Sequence, residues 1–301
     1  MKILFIGVFD PEGKSTNVSQ LVAFNKLGHN VVGYNYRKKA ALIGDENRDK
    51  DLISVIKNRN FDLVVYSKCN IISQETFSEI NKYTKTCLWF MDPLISYTSE
   101  MQEKTSLVDF ACFDKKNVLE KAKKFNNKCF YACEGFDSLT DKPYKEINKK
   151  YDIGFIGNLY GDRLERIRKI NKPVKCAYTK KEVKVFSNAF GSEHPKCVSQ
   201  IKINLNFCTS AGASDRVYKI LGAKGFLLSD DWVGRDEHFE DGKDLIIYKG
   251  AQDLNDKIDY YLKHERERNL IASRGHETVQ KFNRLNWAKR IVEFYEEEIN
   301  V

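Results

Sequence analysis

Nowhere in the 301 residues does an apolar run reach the length needed to cross a bilayer. The opening, MKILFIGVFDPEGK, offers too short an apolar stretch and too early an acidic residue for a secretory signal, so the expected location is the cytoplasm. Proline is scarce, at five. With 42% hydrophobic and 12% aromatic residues, that scarcity excludes a disordered chain and describes a folded globular one. Paired cysteines are missing as well. The eight cysteines stand singly at 69, 87, 112, 129, 133, 176, 197 and 208, with no Cys-x-x-Cys and no His-Glu-x-x-His. Most lie inside apolar segments such as TCLWF and FACF, which favours buried free thiols over zinc ligands or disulfides.

No strong charge imbalance is present either. The formal charge is +8, and the basic clusters at 115–128, 142–150 and 163–184 have acidic residues interleaved. A solvated lysine-rich surface is the plainer reading, and a track for a polyanion such as DNA or an anionic glycan is the alternative.

The stretch FIGVFDPEGKST, residues 5–16, imitates a phosphate-binding P-loop but lacks its spacing. That loop needs four residues between its glycines, so that consecutive backbone N–H groups wrap the phosphates. Five residues separate Gly7 from Gly13, Val8 stands where glycine is required, Pro11 removes a donor, and Glu12 places negative charge where phosphate would sit. What remains is a strand, a glycine-containing loop, and a helix from about Ser15.

That strand is the first of several. KILFI, NVVGY (30–34), DLVVY (62–66), TCLWF (86–90) and DFACF (109–113) alternate with segments of helical spacing, such as Leu52, Val55 and Ile56. Short apolar strands separated by helices predict a parallel sheet covered on both faces. After a lysine-rich stretch containing Pro143, the theme restarts at YDIGFIGNLYGDR (151–163), followed by strands at 174–177, 201–207, 225–228 and 245–248. The expected fold is α/β, with two facing Rossmann-like domains whose parallel sheets deliver loops to a shared cleft, and a helical C-terminal tail. The expected boundaries are 1–145 for the first domain, 146–285 for the second, and 286–301 for a last helix. Trp287, Ile291, Val292 and Phe294 are the residues that would dock that helix back on the first domain.

The richest segment is INLNFCTSAGASDRVYKILGAKGFLLSDD, residues 203–231. A strand leads through Asn206 into a loop of small residues. Ser214 is placed as an N-cap, Val217, Ile220 and Leu221 form a buried stripe, and Gly225 is placed to end the helix. A helix start with Arg216 in its first turn suits a diphosphate, while pairing of Arg216 with Asp215 or a neighbouring helix is the structural alternative.

RVYKILGAKGFLLSD (216–230), DEHFEDGKDLIIY (236–248), LNDKIDYYL (254–262) and residues 272–279, in this order and spacing, resemble the C-terminal domain of GT-B glycosyltransferases of the spore-maturation CgeB type. YDIGFIGNLYGDR resembles the start of that domain, and LGHNVVGYNYR and LWFMDP resemble the N-terminal half. The resemblance implies a glycosyltransferase that takes a nucleotide sugar, a UDP-sugar above all, with no cofactor and no divalent metal holding the diphosphate. By motif position it puts Gly157, Asn158, Arg163, Asn206, Ser214, Arg216 and Lys219 on the donor side. One departure stands out: such domains usually carry glutamate where this chain has Lys219. A lysine has donors but no acceptor, so it cannot receive hydrogen bonds from ribose hydroxyls, though it can hold a phosphate.

Transfer needs a stabilised leaving group and a base for the acceptor hydroxyl. Asp92, just past TCLWF, is the first candidate base and Asp10 the second, with Gly7 beside them on the acceptor side. His194, before Pro195, reads as a loop residue. The acceptor is a hydroxyl on hydroxymethylated DNA, or on a protein, a cell-envelope glycan or a small molecule. A non-catalytic nucleotide-binding module is the reading from a different class.

Overall fold

The computed structural model describes residues 1–10, 15–144, 148–170, 183–209 and 212–299. The chain divides into two compact units, Met1–Glu134 together with Arg284–Val301, and Gly135–Asn283. No helix among the described residues is long and apolar enough to cross a membrane.

Unit 1 is built on six parallel strands: β1 (Lys2–Gly7), β2 (Asn30–Asn35), β3 (Leu63–Ser67), β4 (Lys85–Phe90), β5 (Phe110–Phe113) and β6 (Cys129–Tyr131). Their order across the sheet is β2-β1-β3-β4-β5-β6. Successive side chains of a strand point to opposite faces, and here both faces are buried. Leu4, Ile6, Val64, Tyr66 and Leu88 share one face with Leu52, Ile56 and Phe77 of the covering helices. Ile3, Phe5, Leu63, Val65 and Trp89 share the other with Phe24 of the helix Asn17–Lys26 and Trp287 of the helix Arg284–Glu298. This double burial is why the strands read as continuous apolar runs.

The last helix is thus part of the unit 1 core. Trp287 packs 5.2 Å from Phe24, 5.3 Å from Trp89 and 6.2 Å from Phe5, centroid to centroid. Ile291 and Val292 are buried in the same layer, and Phe294 stacks on Phe130 at 4.3 Å. The chain leaves unit 1 after Glu134 and re-enters at Arg284, earlier at both points than the sequence pattern placed the boundaries. A buried ionic cluster fixes these crossings: Arg284 pairs with Glu134 at 3.3 Å, the Glu134 N–H donates to Asp114 Oδ1 at 2.8 Å, and Lys115 pairs with Asp114.

Unit 2 holds five parallel strands: β7 (Tyr151–Ile156), β8 (Val183–Phe186), β9 (Ile201–Asn206), β10 (Leu227–Ser229) and β11 (Ile246–Ile247), in the order β11-β10-β9-β7-β8. Ile153, Phe155, Ile203, Leu205 and Leu228 pack with Ile167, Leu254, Ile258 and Ile271 of the helices. The strand expected at 174–177 lies outside the described residues, as do residues 11–14 of the P-loop imitation. The helix Asp215–Gly222 stops before Gly225. Lys224, at φ 59°, takes the left-handed position of a Schellman cap, its N–H donating to Leu221 O and that of Gly225 to Ile220 O.

Candidate active site

In unit 2 the chain leaves β7 toward β8 on one side and pairs β9 on the other. Loops that diverge this way open a crevice at the carboxyl ends of the strands, the ligand position of open parallel sheets. The loop after β7 brings Gly157, Asn158 and Arg163 to this edge, and the loop after β9 leads through Ser214 to Arg216.

Arg216 is buried, with its guanidinium 4.6 Å from the centroid of the Phe155 ring. Its Nε donates to Ile156 O, the last residue of β7, and its Nη1 to Asn206 Oδ1 at 2.9 Å and Ser214 Oγ at 3.4 Å. Nη2 is turned to Gly157, where a Cβ would sit 2.6 Å from it; at φ +140° that position favours glycine in any case. Arg163, equally buried, donates to Asn158 O at 3.0 Å and lies over the exposed ring of Tyr160 at 3.9 Å. Among the described residues neither guanidinium is ion-paired with a carboxylate. Burial, and after it the neighbouring Arg163 charge, hold the Arg216 pKa down at about 10. Asp215 raises the Arg216 pKa without forming an ion pair with it, so neither buried guanidinium has a carboxylate in contact, which leaves a place for an anion.

Ser214 occupies the N-cap position without capping. Its hydroxyl donates to Asn206 Oδ1 at 3.0 Å rather than to a first-turn N–H group of the helix. Lys219 is ion-paired with Asp215 at 2.7 Å, one turn back, which ties the ammonium to the helix surface.

His194 lies in the helix Glu193–Gln200, not in a loop: Pro195 falls in the first turn, where its missing N–H is tolerated. The imidazole is buried, its Nδ1 makes no hydrogen bond, and Asp141 Oδ1 is 4.0 Å away. Burial, then the Lys219 charge, push its pKa down to about 3. The folded state therefore takes up the proton later than the unfolded chain does, and stability present above pH 6.5 is lost as the pH falls toward 3. At pH 5.5 the expected loss relative to pH 7.5 is about 1.4 kcal/mol. Urea unfolding at the two pH values, compared with His194→Gln, checks it: the substitution should flatten the difference.

Sequence reasoning missed the clamp at β10. Asp230 accepts from Cys208 N at 2.7 Å and from Arg166 at 2.6 Å, tying the helix after β7, the loop after β9 and the end of β10 together. Its partners are far apart in the sequence, so no local signal marks it.

In unit 1 the corresponding divergence is at β1, flanked by β2 and β3. Gly7 ends β1 and Asp10 lies in the loop that follows it. Gly7 is pressed against Asn17, whose Oδ1 a Cβ would meet at 2.7 Å and which accepts from Val8 N. Asp92 follows β4 and is ion-paired with Lys68, the residue after β3, which no sequence signal marked. Lys68 and Cys69 are consecutive left-handed residues at φ 64° and 51°, a strained backbone of the kind found at binding loops. Among the described residues no group of three or more His, Cys, Asp or Glu side chains is placed to hold a metal ion.

A family model described as glycosyl transferase-like matches residues 145–296, just over half of the chain. No curated protein matches the sequence. Among solved structures the chain is similar to HepE from Anabaena in complex with UDP-glucose, at 10% identity over 98% of this chain and 99% of that one, with a TM-score of 0.72. It is also similar to sucrose-phosphate synthase from Thermosynechococcus elongatus, at 10% identity over 98% of each chain and a TM-score of 0.72. A third is an alpha-glucosyltransferase in complex with UDP-glucose and DNA containing an abasic site, at 8% identity over 98% of this chain and 99% of that one, with a TM-score of 0.69. At these identities the likeness is one of fold: two Rossmann-like domains with parallel sheets.

Proposed function

The chain belongs to the glycosyl transferase-like family, and from that membership we propose that it moves a sugar from a UDP-sugar to an acceptor hydroxyl. The observation that carries the donor site is the pair of buried guanidiniums, Arg163 and Arg216, unpaired with carboxylate beside Gly157 and a helix start that Ser214 does not cap. A diphosphate supplies the missing counter-charge. As the sugar–oxygen bond breaks, negative charge grows on the leaving phosphate, and these fixed donors stabilise it without reorganising. The choice of UDP is supported by the UDP-glucose complexes of HepE and of the alpha-glucosyltransferase, which share the fold. The finer resemblance, to the CgeB type, rests on the phrases at 151–163 and 216–230.

On the acceptor side, Asp92 is the proposed base and Asp10 the second choice. The Lys68 ion pair holds the Asp92 carboxylate at the sheet edge, and a base must be so positioned to receive the hydroxyl proton. Were the anomeric centre retained, the donor phosphate would take that role instead.

The test is a thermal-shift series with UDP, GDP and ADP, followed by UDP-glucose hydrolysis without acceptor. UDP at about a hundred times its Kd is expected to stabilise the protein by about 2.7 kcal/mol, with slow release of glucose from UDP-glucose. Binding with neither hydrolysis nor transfer would support the second reading, a non-catalytic nucleotide module. That reading is favoured by Lys219, which replaces an acceptor with a donor and is engaged by Asp215. No stabilisation by any of the three nucleotides would sink both.

A further inference from the structure

The loop that leaves β7 turns back on its own arginine. Gly157, at φ 140°, and Gly161, at φ 65°, bracket Asn158, Leu159 and Tyr160, and both values are ones that side-chain-bearing residues rarely adopt. The turn brings two groups of this short loop onto Arg163, the first residue of the helix Arg163–Ile170. Asn158 O accepts from Nη1 at 3.0 Å, and the centroid of the Tyr160 ring lies 3.9 Å from the guanidinium carbon. The buried ring of Phe155 is further off, at 5.7 Å.

Tyr160 is 59% exposed, so apolar burial does not account for its place. The cation beneath it does. A guanidinium stacks on an aromatic face and still keeps its N–H groups, which lie in its own plane, free to donate at the edge. The bond to Asn158 O engages Nη1 alone. Among the described residues Nε and Nη2 of Arg163 make no hydrogen bond, and both still reach solvent. The side chain is otherwise buried, so its stem is held by packing and its head by the loop. An arginine that binds an anion gives up rotamer freedom, and one whose plane is already set gives up less. The ring's hold on Arg163 therefore translates into affinity.

We propose that Tyr160 is a positioning residue of the donor site: its ring sets the plane of the Arg163 guanidinium and so presents the free N–H edge to a diphosphate, without itself touching the ligand. The inference rests on the donor reading given above. The test is isothermal titration calorimetry of the full chain and its variants with UDP. Tyr160→Leu keeps bulk and removes the ring, and should weaken UDP about tenfold, or about 1.4 kcal/mol. Tyr160→Phe keeps the ring and should hold the parent Kd within about twofold. The residue is exposed, so the melting temperature of both variants should stay with the parent's. In an Arg163→Met background the leucine change should shift the Kd by less than about twofold, because the group it acts through is gone. Three results would overturn the inference while UDP binding by the parent keeps the donor reading intact. These are an unchanged Kd for Tyr160→Leu, a loss in Tyr160→Phe as large as in Tyr160→Leu, or a leucine effect that persists in full without Arg163, which would mean that the ring touches the nucleotide itself. A parent protein that bound no UDP would end the donor reading and this inference together.

Discussion

Arg216→Met is expected to slow UDP-glucose hydrolysis and transfer by about 10²–10³-fold, or about 2.7–4 kcal/mol of transition-state stabilisation, the size of effect that removing one fixed donor from developing charge produces. The companion measurement is stability. Burial lowers the Arg216 pKa well below the usual arginine value, to about 10, so at neutral pH the fold bears about 3 kcal/mol for keeping this side chain charged. Methionine relieves that penalty and loses the hydrogen bonds to Ile156 O, Asn206 and Ser214, each worth about 1 kcal/mol. The two changes offset, and the melting temperature of the free protein should move little. The stabilisation conferred by UDP should largely vanish, because the substitution removes the group whose charge the diphosphate answers. An Arg216 with a purely architectural role would show the reverse: a lowered melting temperature with intact UDP binding and turnover.

Trp287→Ala is expected to destabilise unit 1 by about 3–5 kcal/mol, the range for removing a large buried aromatic. Trp287 is 2% exposed and touches Phe5, Phe24 and Trp89, so its loss opens a cavity at the centre of one sheet face. For a unit of this size the expected fall in melting temperature is roughly 10 °C. Trp287→Phe should recover most of it. The indole Nε1 is buried without a hydrogen-bond partner, so phenylalanine restores much of the apolar contact and removes an unsatisfied donor. If the alanine variant melted within about 1 kcal/mol of the parent, the last helix would not be part of the core.

Strands β1, β3, β4, β5 and the restart at Tyr151 were legible because strands buried on both faces are written as unbroken apolar runs, and the half-buried edge strand β2 was legible from NVVGY. Strands β6 and β8 were not. They are three and four residues long, β6 directly after a lysine-rich stretch and β8 carrying Lys184, so each is too short for its period to be read. In the candidate site, Gly157 and Arg216 stood out through the phrases around them. Lys68, Arg166 and Asp230 did not, because each matters through a partner that only chain folding supplies. His194 was misplaced because Pro195 was read as a loop signal, whereas a helix tolerates proline in its first turn.

The amino-acid order alone determined that there are two strand-led halves, that the chain carries no membrane-length apolar segment, and that a basic helix start follows the strand ending at Asn206, since each is a matter of local periodicity and spacing. Tertiary structure decided the rest. It paired β9 with β7, and so brought Arg163 and Arg216 to the same Phe155 ring, their guanidiniums 5.7 Å and 4.6 Å from its centroid. It also seated Trp287 in the core of the first unit and set Lys68 against Asp92. Burial and pairing at long range depend on which surfaces the whole chain removes from water together, and no window of neighbouring residues contains that information.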